Sequence, residues 1–165
     1  MDFKDTFNAF LEHNKDLKVV HVATCGPEGK PNSAPKMLVD VLAPNKIHFL
    51  DYRFTQTFAN IQDNRRISLS FMDDASFTGY RLTGLCEVLE SGAEFEAAKK
   101  SWEKRLIAYE AERMIRRLQG NYSTKESENS LPDGFLIIKL VAIEASAVKP
   151  GRILRAVHYE KEEGV

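Results

Sequence analysis

The chain has 165 residues and a mass of 18.7 kDa, with 43% hydrophobic and 28% charged residues, which is the size and composition of one ordinary globular domain spanning 1–165 rather than of a disordered or fibrous chain. Lys plus Arg total 23 against 24 for Asp plus Glu, so a net charge of −1 leaves no overall field to draw nucleic acid or an anionic membrane. Cys25 and Cys86 stand far apart without Cys/His ligand spacing, and no apolar run approaches the ~18 residues that span a bilayer, so the chain reads as cytoplasmic, with reduced thiols and no metal.

In chain order, Phe3, Phe7, Phe10 and Leu11 form a helical apolar stripe behind Asp2, which can serve as N-cap. Lys18 to Thr24 (KVVHVAT) is rich in β-branched residues and runs into the turn residues Gly26-Pro27-Glu28-Gly29. That predicts a strand entering a hairpin, with a returning strand over Asn32 to Val41. After Ala43-Pro44-Asn45, Lys46 to Tyr52 (KIHFLDY) gives a third strand.

Thr55 to Asp63 changes period, with Phe58 and Ile61 on one side, and reads as one or two helical turns stopped at Asn64. Arg66 to Met72 alternates Ile67, Leu69 and Phe71 with polar residues, the signature of a half-buried strand. In Tyr80 to Leu89 the alternation slips at Gly84, which predicts a bulge or close backbone approach there. Gly92 to Gly120 is a long charged helix with Phe95, Ala98, Trp102, Leu106 and Tyr109 on one face; Met114, Ile115 and Leu118 need a rotated face, which allows a break into two helices. Asn121 to Asp133 is a polar loop, and Gly134 to Val148 is the longest β-rich run, expected as a central strand.

The order α-βββ-α-ββ-α-β, dominated by hairpin connections, predicts a mainly β fold: a six-stranded antiparallel barrel with flanking helices and a helical insertion over about 92–120. A doubly wound α/β sheet would need helices between most strands.

Three pieces of the sequence carry a resemblance: the hairpin Val22 to Pro31 (VATCGPEGKP), the segment Thr55 to Asn60 (TQTFAN) after the third strand, and Thr78 to Gly84 (TGYRLTG). In this order the chain resembles the pyridoxamine 5′-phosphate oxidase-like family of flavin-binding split barrels, and within it the small FMN-binding proteins. The resemblance implies a homodimer with one FMN in each of two clefts at the interface. By position it assigns Ser33, Pro35, Lys36 and Met37 to the ring and ribityl chain, places Leu50 and Asp51 beside the flavin, puts Thr55, Gln56 and Thr57 around the phosphate, and brings Gly79 close to the cofactor.

The chemistry of these residues suits such a site. A phosphate needs several donors aimed at one point, which the first turn of a helix and the hydroxyls of Thr55 and Thr57 provide. The family usually carries Lys or Arg where this chain has Gln56, so Arg53 or Arg65 is the candidate for the missing charge. The plainer reading is that Thr55-Gln56-Thr57 only caps a short helix. Lys36 is either a solvated rim lysine or a cation at the pyrimidine edge of the ring that raises its potential. His21 and His48 fall on strands expected to be neighbours, yet lack a carboxylate motif and are assigned no metal. Trp102 is most simply core, and Arg113, Arg116 and Arg117 complement a helix C-terminus.

The leading functional expectation is an FMN-dependent oxidoreductase or electron-transfer protein exchanging reducing equivalents with a small-molecule or protein partner. Vitamin B6 oxidation is disfavoured: the basic phosphate-binding pair is absent, Trp102 is the only tryptophan, and the C-terminal HYEKEEGV is acidic. A deazaflavin- or haem-binding split barrel, and a cofactor-free dimeric binding module, stand as alternatives.

Overall fold

A computed structural model of the chain describes residues 2–15, 19–119, 134–153 and 157–159. The loop expected over Asn121 to Asp133, the side chains of Arg116 and Arg117, and most of the acidic C-terminal segment lie outside the described residues.

Helix α1 (Phe3–Asn14) opens with a capping box: the Asp5 N–H donates to Asp2 Oδ1 at 2.7 Å and the Asp2 N–H to Asp5 Oδ2 at 3.0 Å. Its Phe3, Phe7 and Phe10 enter the core, whereas Leu11, expected on the same stripe, stays 41% exposed at the rim. Strands β1 (Val19–Cys25), β2 (Pro31–Leu42) and β3 (Lys46–Tyr52) follow as antiparallel neighbours, then α2 (Gln56–Asp63), β4 (Arg66–Asp73) and β5 (Thr78–Leu89). After α3 (Ala93–Leu118), β6 (Phe135–Lys149) pairs with β5 on one edge and with β3 on the other. The cycle β3-β2-β1-β4-β5-β6 therefore closes into a six-stranded antiparallel barrel, as the sequence order predicts.

Closure requires a bend, and it lies where the alternation slips. The β5–β6 register shifts between Thr83 and Gly84, and a Cβ on Gly84 would stand 2.0 Å from the Val141 carbonyl oxygen. Only glycine lets the two backbones come this close. The two-residue strands β7 (Arg152–Ile153) and β8 (Val157–His158) were not expected. β3 pairs with β6 only as far as Val141, and β7 and β8 pair with residues 144–149 of β6, taking up backbone groups that would otherwise form an open edge.

The barrel is filled by Val20, Leu38, Phe49, Leu69, Leu82 and Ile138, with α1 and α2 contributing Phe10 and Ile61. A second cluster, Val39, Leu50, Leu89 and Ile137, lies on the outer face beneath α3, where Ala98 and Trp102 pack. Helix α3 is continuous, with no break. Its docking extends to Leu106, so Tyr109, expected on the packed face, is 44% exposed, and Met114, Ile115 and Leu118 are exposed as well. Arg105 fixes its middle, donating to Asn14 Oδ1 at 2.9 Å, to the Val39 carbonyl at 2.5 Å and to the Asn14 carbonyl. His21 and His48 are not on adjacent strands: β2 runs between β1 and β3, His21 is exposed, and His48 is buried against α3, where its Nε2 lies 3.2 Å from Glu94 Oε1. No described helix is long and apolar enough to cross a membrane.

Candidate functional site

The barrel is split at one place. Strand β2 pairs with β1 along Pro31 to Met37, but its pairing with β3 begins only at Leu38 and Phe49. The β3-facing edge of residues 31–37 is thus left without a strand partner among the described residues, a row of backbone donors and acceptors open to something other than a strand. Helix α2 lies at the end of this split.

Thr55 caps α2, its Oγ1 accepting from the Phe58 N–H at 3.0 Å. The same hydroxyl donates to Asp51 Oδ1 at 2.8 Å, which also accepts from the Tyr52 N–H at 2.8 Å and from Lys36 Nζ at 2.5 Å. One carboxylate oxygen thereby ties β2, β3 and the α2 cap into a single corner. The Lys36 side chain is 9% exposed and that of Asp51 is fully buried, so Lys36 is not the solvated rim lysine of the first alternative, and the charge that the second alternative sets beside a ring is neutralised at contact distance. Asp51 Oδ2 is buried and has no donor among the described residues.

Beside this corner lies an amide network. Asn32 donates to Thr24 Oγ1 at 3.1 Å and to Thr57 Oγ1 at 3.3 Å, Asn60 donates to Thr24 Oγ1 at 3.0 Å, and Gln56 donates to Asn60 Oδ1 at 2.7 Å. Thr57 is only 1% exposed, so its hydroxyl serves the network. In front of it opens a cavity of about 460 Å³, within the ~300–1,000 Å³ usual for small-molecule sites, walled by Gln56 and Asn60 of α2 and by Lys30 and Asn32 of the β1–β2 hairpin. The backbone N–H groups of Gln56 and Thr57, at the start of α2, lack an acceptor within the helix by their position.

Residues 3–145 match the model of the family described as pyridoxamine 5′-phosphate oxidase. The chain belongs to this family. Solved structures share the fold of this oxidase-family chain at low identity. A Clostridium acetobutylicum protein related to general stress protein 26 of B. subtilis superposes with a TM-score of 0.63 at 19% identity, covering 97% of each chain. An FMN-binding protein from Nostoc punctiforme, related to pyridoxamine 5′-phosphate oxidase, gives 0.61 at 16%, covering 99% of this chain and 94% of its own. A haem-binding protein from Mycobacterium smegmatis gives 0.62 at 15%, covering 94% of this chain and 57% of its own. No curated protein matches the sequence.

Of the residues assigned by resemblance, the oxidase-family corner gathers Lys36, Asp51, Thr55, Gln56 and Thr57. The others are placed differently. Ser33 and Pro35 lie on the exposed outer face of β2, opposite Ala23 and His21. Leu50 and Met37 turn toward the cluster under α3, so only their backbones can reach a ligand in the split. Arg53 is paired with Glu90 Oε2 at 2.7 Å and does not wall the cavity; Arg65 lines a separate groove with Gln62 and Cys86, whose thiol burial pushes up to about 11. Gly79 pairs with Met72 and Val148, and β1 and β4 separate it from β2, so within one chain it does not join the corner. Lys30, Asn32 and Thr24 were not singled out from sequence. The available signal was their place in the hairpin VATCGPEGKPN, whose antiparallel register sets Asn32 opposite Thr24.

Proposed function

We infer that this chain binds FMN along the split between β2 and β3, with the phosphate toward α2, and works as a homodimeric oxidoreductase or electron-transfer protein. The observation that carries this reading is the unpaired edge of β2 over residues 31–37, ending beside the first turn of a helix and a polar cavity. A planar heterocycle with alternating acceptors and N–H groups suits a free strand edge, and a phosphate suits the N–H groups of Gln56 and Thr57. The donorless Asp51 Oδ2 would accept from a hydroxyl of the ribityl chain. The cavity holds the phosphate end; the ring lies in the open split and needs a cover.

A second copy of the chain supplies that cover. The outer face of β2-β1-β4-β5 presents small side chains (Ala23, Ser33, Ser68, Ser70, Thr83) flanked by exposed Val19, Met72 and Leu85. The same face carries exposed His21, Arg66 and Arg81, so its small-residue centre with a polar, basic surround has the make-up of an isologous interface with a polar rim. Bound flavin supplies the chemistry of accepting and passing on reducing equivalents to a small-molecule or protein partner. The chain's part is to bind, orient and shield it; no side-chain acid or base is assigned.

The absorption spectrum of the purified protein tests this reading. FMN released on denaturation, close to one per chain, is the expected result. A haem Soret band, a deazaflavin spectrum, or colourless protein that ignores added FMN would overturn it.

A further inference from the structure

A phosphomonoester carries up to two negative charges at neutral pH, and the corner that would receive it is poor in available cations. Lys36 is held by Asp51 at 2.5 Å, Arg53 is held by Glu90 at 2.7 Å, Arg65 opens on another groove, and Gln56 is neutral. Among the described residues that wall the cavity, Lys30 alone is cationic. It stands at the end of the β1–β2 turn, where its carbonyl accepts from the Gly26 N–H at 3.2 Å, and it is exposed, with no ion pair among the described residues. Across the cavity, Gln56 and Asn60 each use one amide N–H inside the network and keep a second. The opposing charge is Glu28, exposed on the same turn and in the same wall.

We propose that Lys30 is the charge-bearing residue for the phosphate and sets this chain's preference for a phosphorylated ligand over its dephosphorylated form, with Glu28 opposing it. The inference rests on the flavin reading above. Because Lys30 is exposed in the cavity wall and its stem has four rotatable carbons, the ammonium reaches the phosphate without desolvating itself fully, and a charge-assisted contact of this kind exceeds a neutral one. The two side chains differ in sign and share one turn, so they act on the same ligand in opposite directions.

The experiment is a fluorescence titration of flavin-free protein with FMN and with riboflavin, for the wild type, Lys30→Gln, Lys30→Arg and Glu28→Gln, at low and high salt. Lys30→Gln should weaken FMN roughly tenfold or more, the fold-change for losing a hydrogen bond to a charged group, and leave riboflavin nearly unchanged. Lys30→Arg should restore most of the loss. Glu28→Gln should tighten FMN a few-fold at low salt and lose that gain at high salt, without affecting riboflavin. If the wild type binds FMN but Lys30→Gln weakens both flavins equally or neither, the phosphate is neutralised elsewhere and the inference fails while the flavin reading stands. If the wild type binds neither flavin, that reading fails and takes this inference with it.

Discussion

Asp51 concentrates more obligations than any other residue of the corner. One of its oxygens accepts three donors while the other has none, and the whole carboxylate is buried. Removing one partner of such a pair leaves the other charge buried and uncompensated, which typically costs about 3–5 kcal/mol, whereas replacing both by apolar groups is close to neutral. Asp51→Ala should therefore lower unfolding stability by about that amount, and Lys36→Met with Asp51→Leu should recover most of it; urea denaturation of the three variants measures both. At this scale the sequence is legible only where the signal is local. Thr55 as an N-cap follows from its place before Phe58 and Ile61, and it does cap α2. The Lys36–Asp51 pair joins residues on strands whose ladder starts only beyond them, so no spacing rule exposes it. Lys30 is hidden for a different reason: a lysine in a Gly-rich turn looks solvated until the helix that faces it is in place.

At the scale of elements, α3 is held to the barrel by charge at its first turn and by packing over its next three. Lys139 of β6 donates to Glu94 Oε2 at 2.9 Å and pairs with Glu87 at 2.8 Å, while His48 of β3 meets Glu94 from beneath. Burial lowers the His48 pKa below its ordinary 6.5, with Glu94 and Asp40 acting against that shift and Lys139 with it. The neutral ring donates through Nε2, and its Nδ1 is buried without a partner, so a second proton there would be unsupported. The unfolded chain takes up this proton at about 6.5 and the folded chain only at lower pH, so the contribution is intact above that value and lost on acidification below it. Glu94, held low first by its bond from Lys139, adds a loss of the same sign at lower pH still. His48→Gln keeps a donor for Glu94 and removes the titration, so its Tm should fall less than the wild type's between about pH 7 and pH 5. The bulge at Gly84 was readable because a slipped alternation is a local pattern. The unbroken α3 was not: the stripe of Met114, Ile115 and Leu118 looks like a second packed face, yet in the chain it meets solvent.

For the whole molecule, closure through β3 and β6 follows from the hairpin order and the long β-rich run at the end, both visible in the sequence; the second copy is a matter of which face is left bare. Ala23 sits centrally on that face, between Ser33 and Ser68, and is exposed in the single chain. Ala23→Arg should leave the circular dichroism of the chain intact while light scattering after size exclusion gives the mass of a monomer, with flavin content falling in step because the ring loses its cover. A dimeric Ala23→Arg protein with full flavin content would place the interface on another surface.

Strand β6 is the last long element of the chain and the common neighbour of β3, β5, β7 and β8. A ribosome therefore delivers this strand after the two that it joins. Until residues 135–149 have emerged, β3 and β5 each expose an edge that has no mate, and the aromatic face of α1 has only part of its seat. The barrel cannot close before residues 135–149 are available, and because β3 and β5 gain their mate from the same strand, one element decides both edges at once.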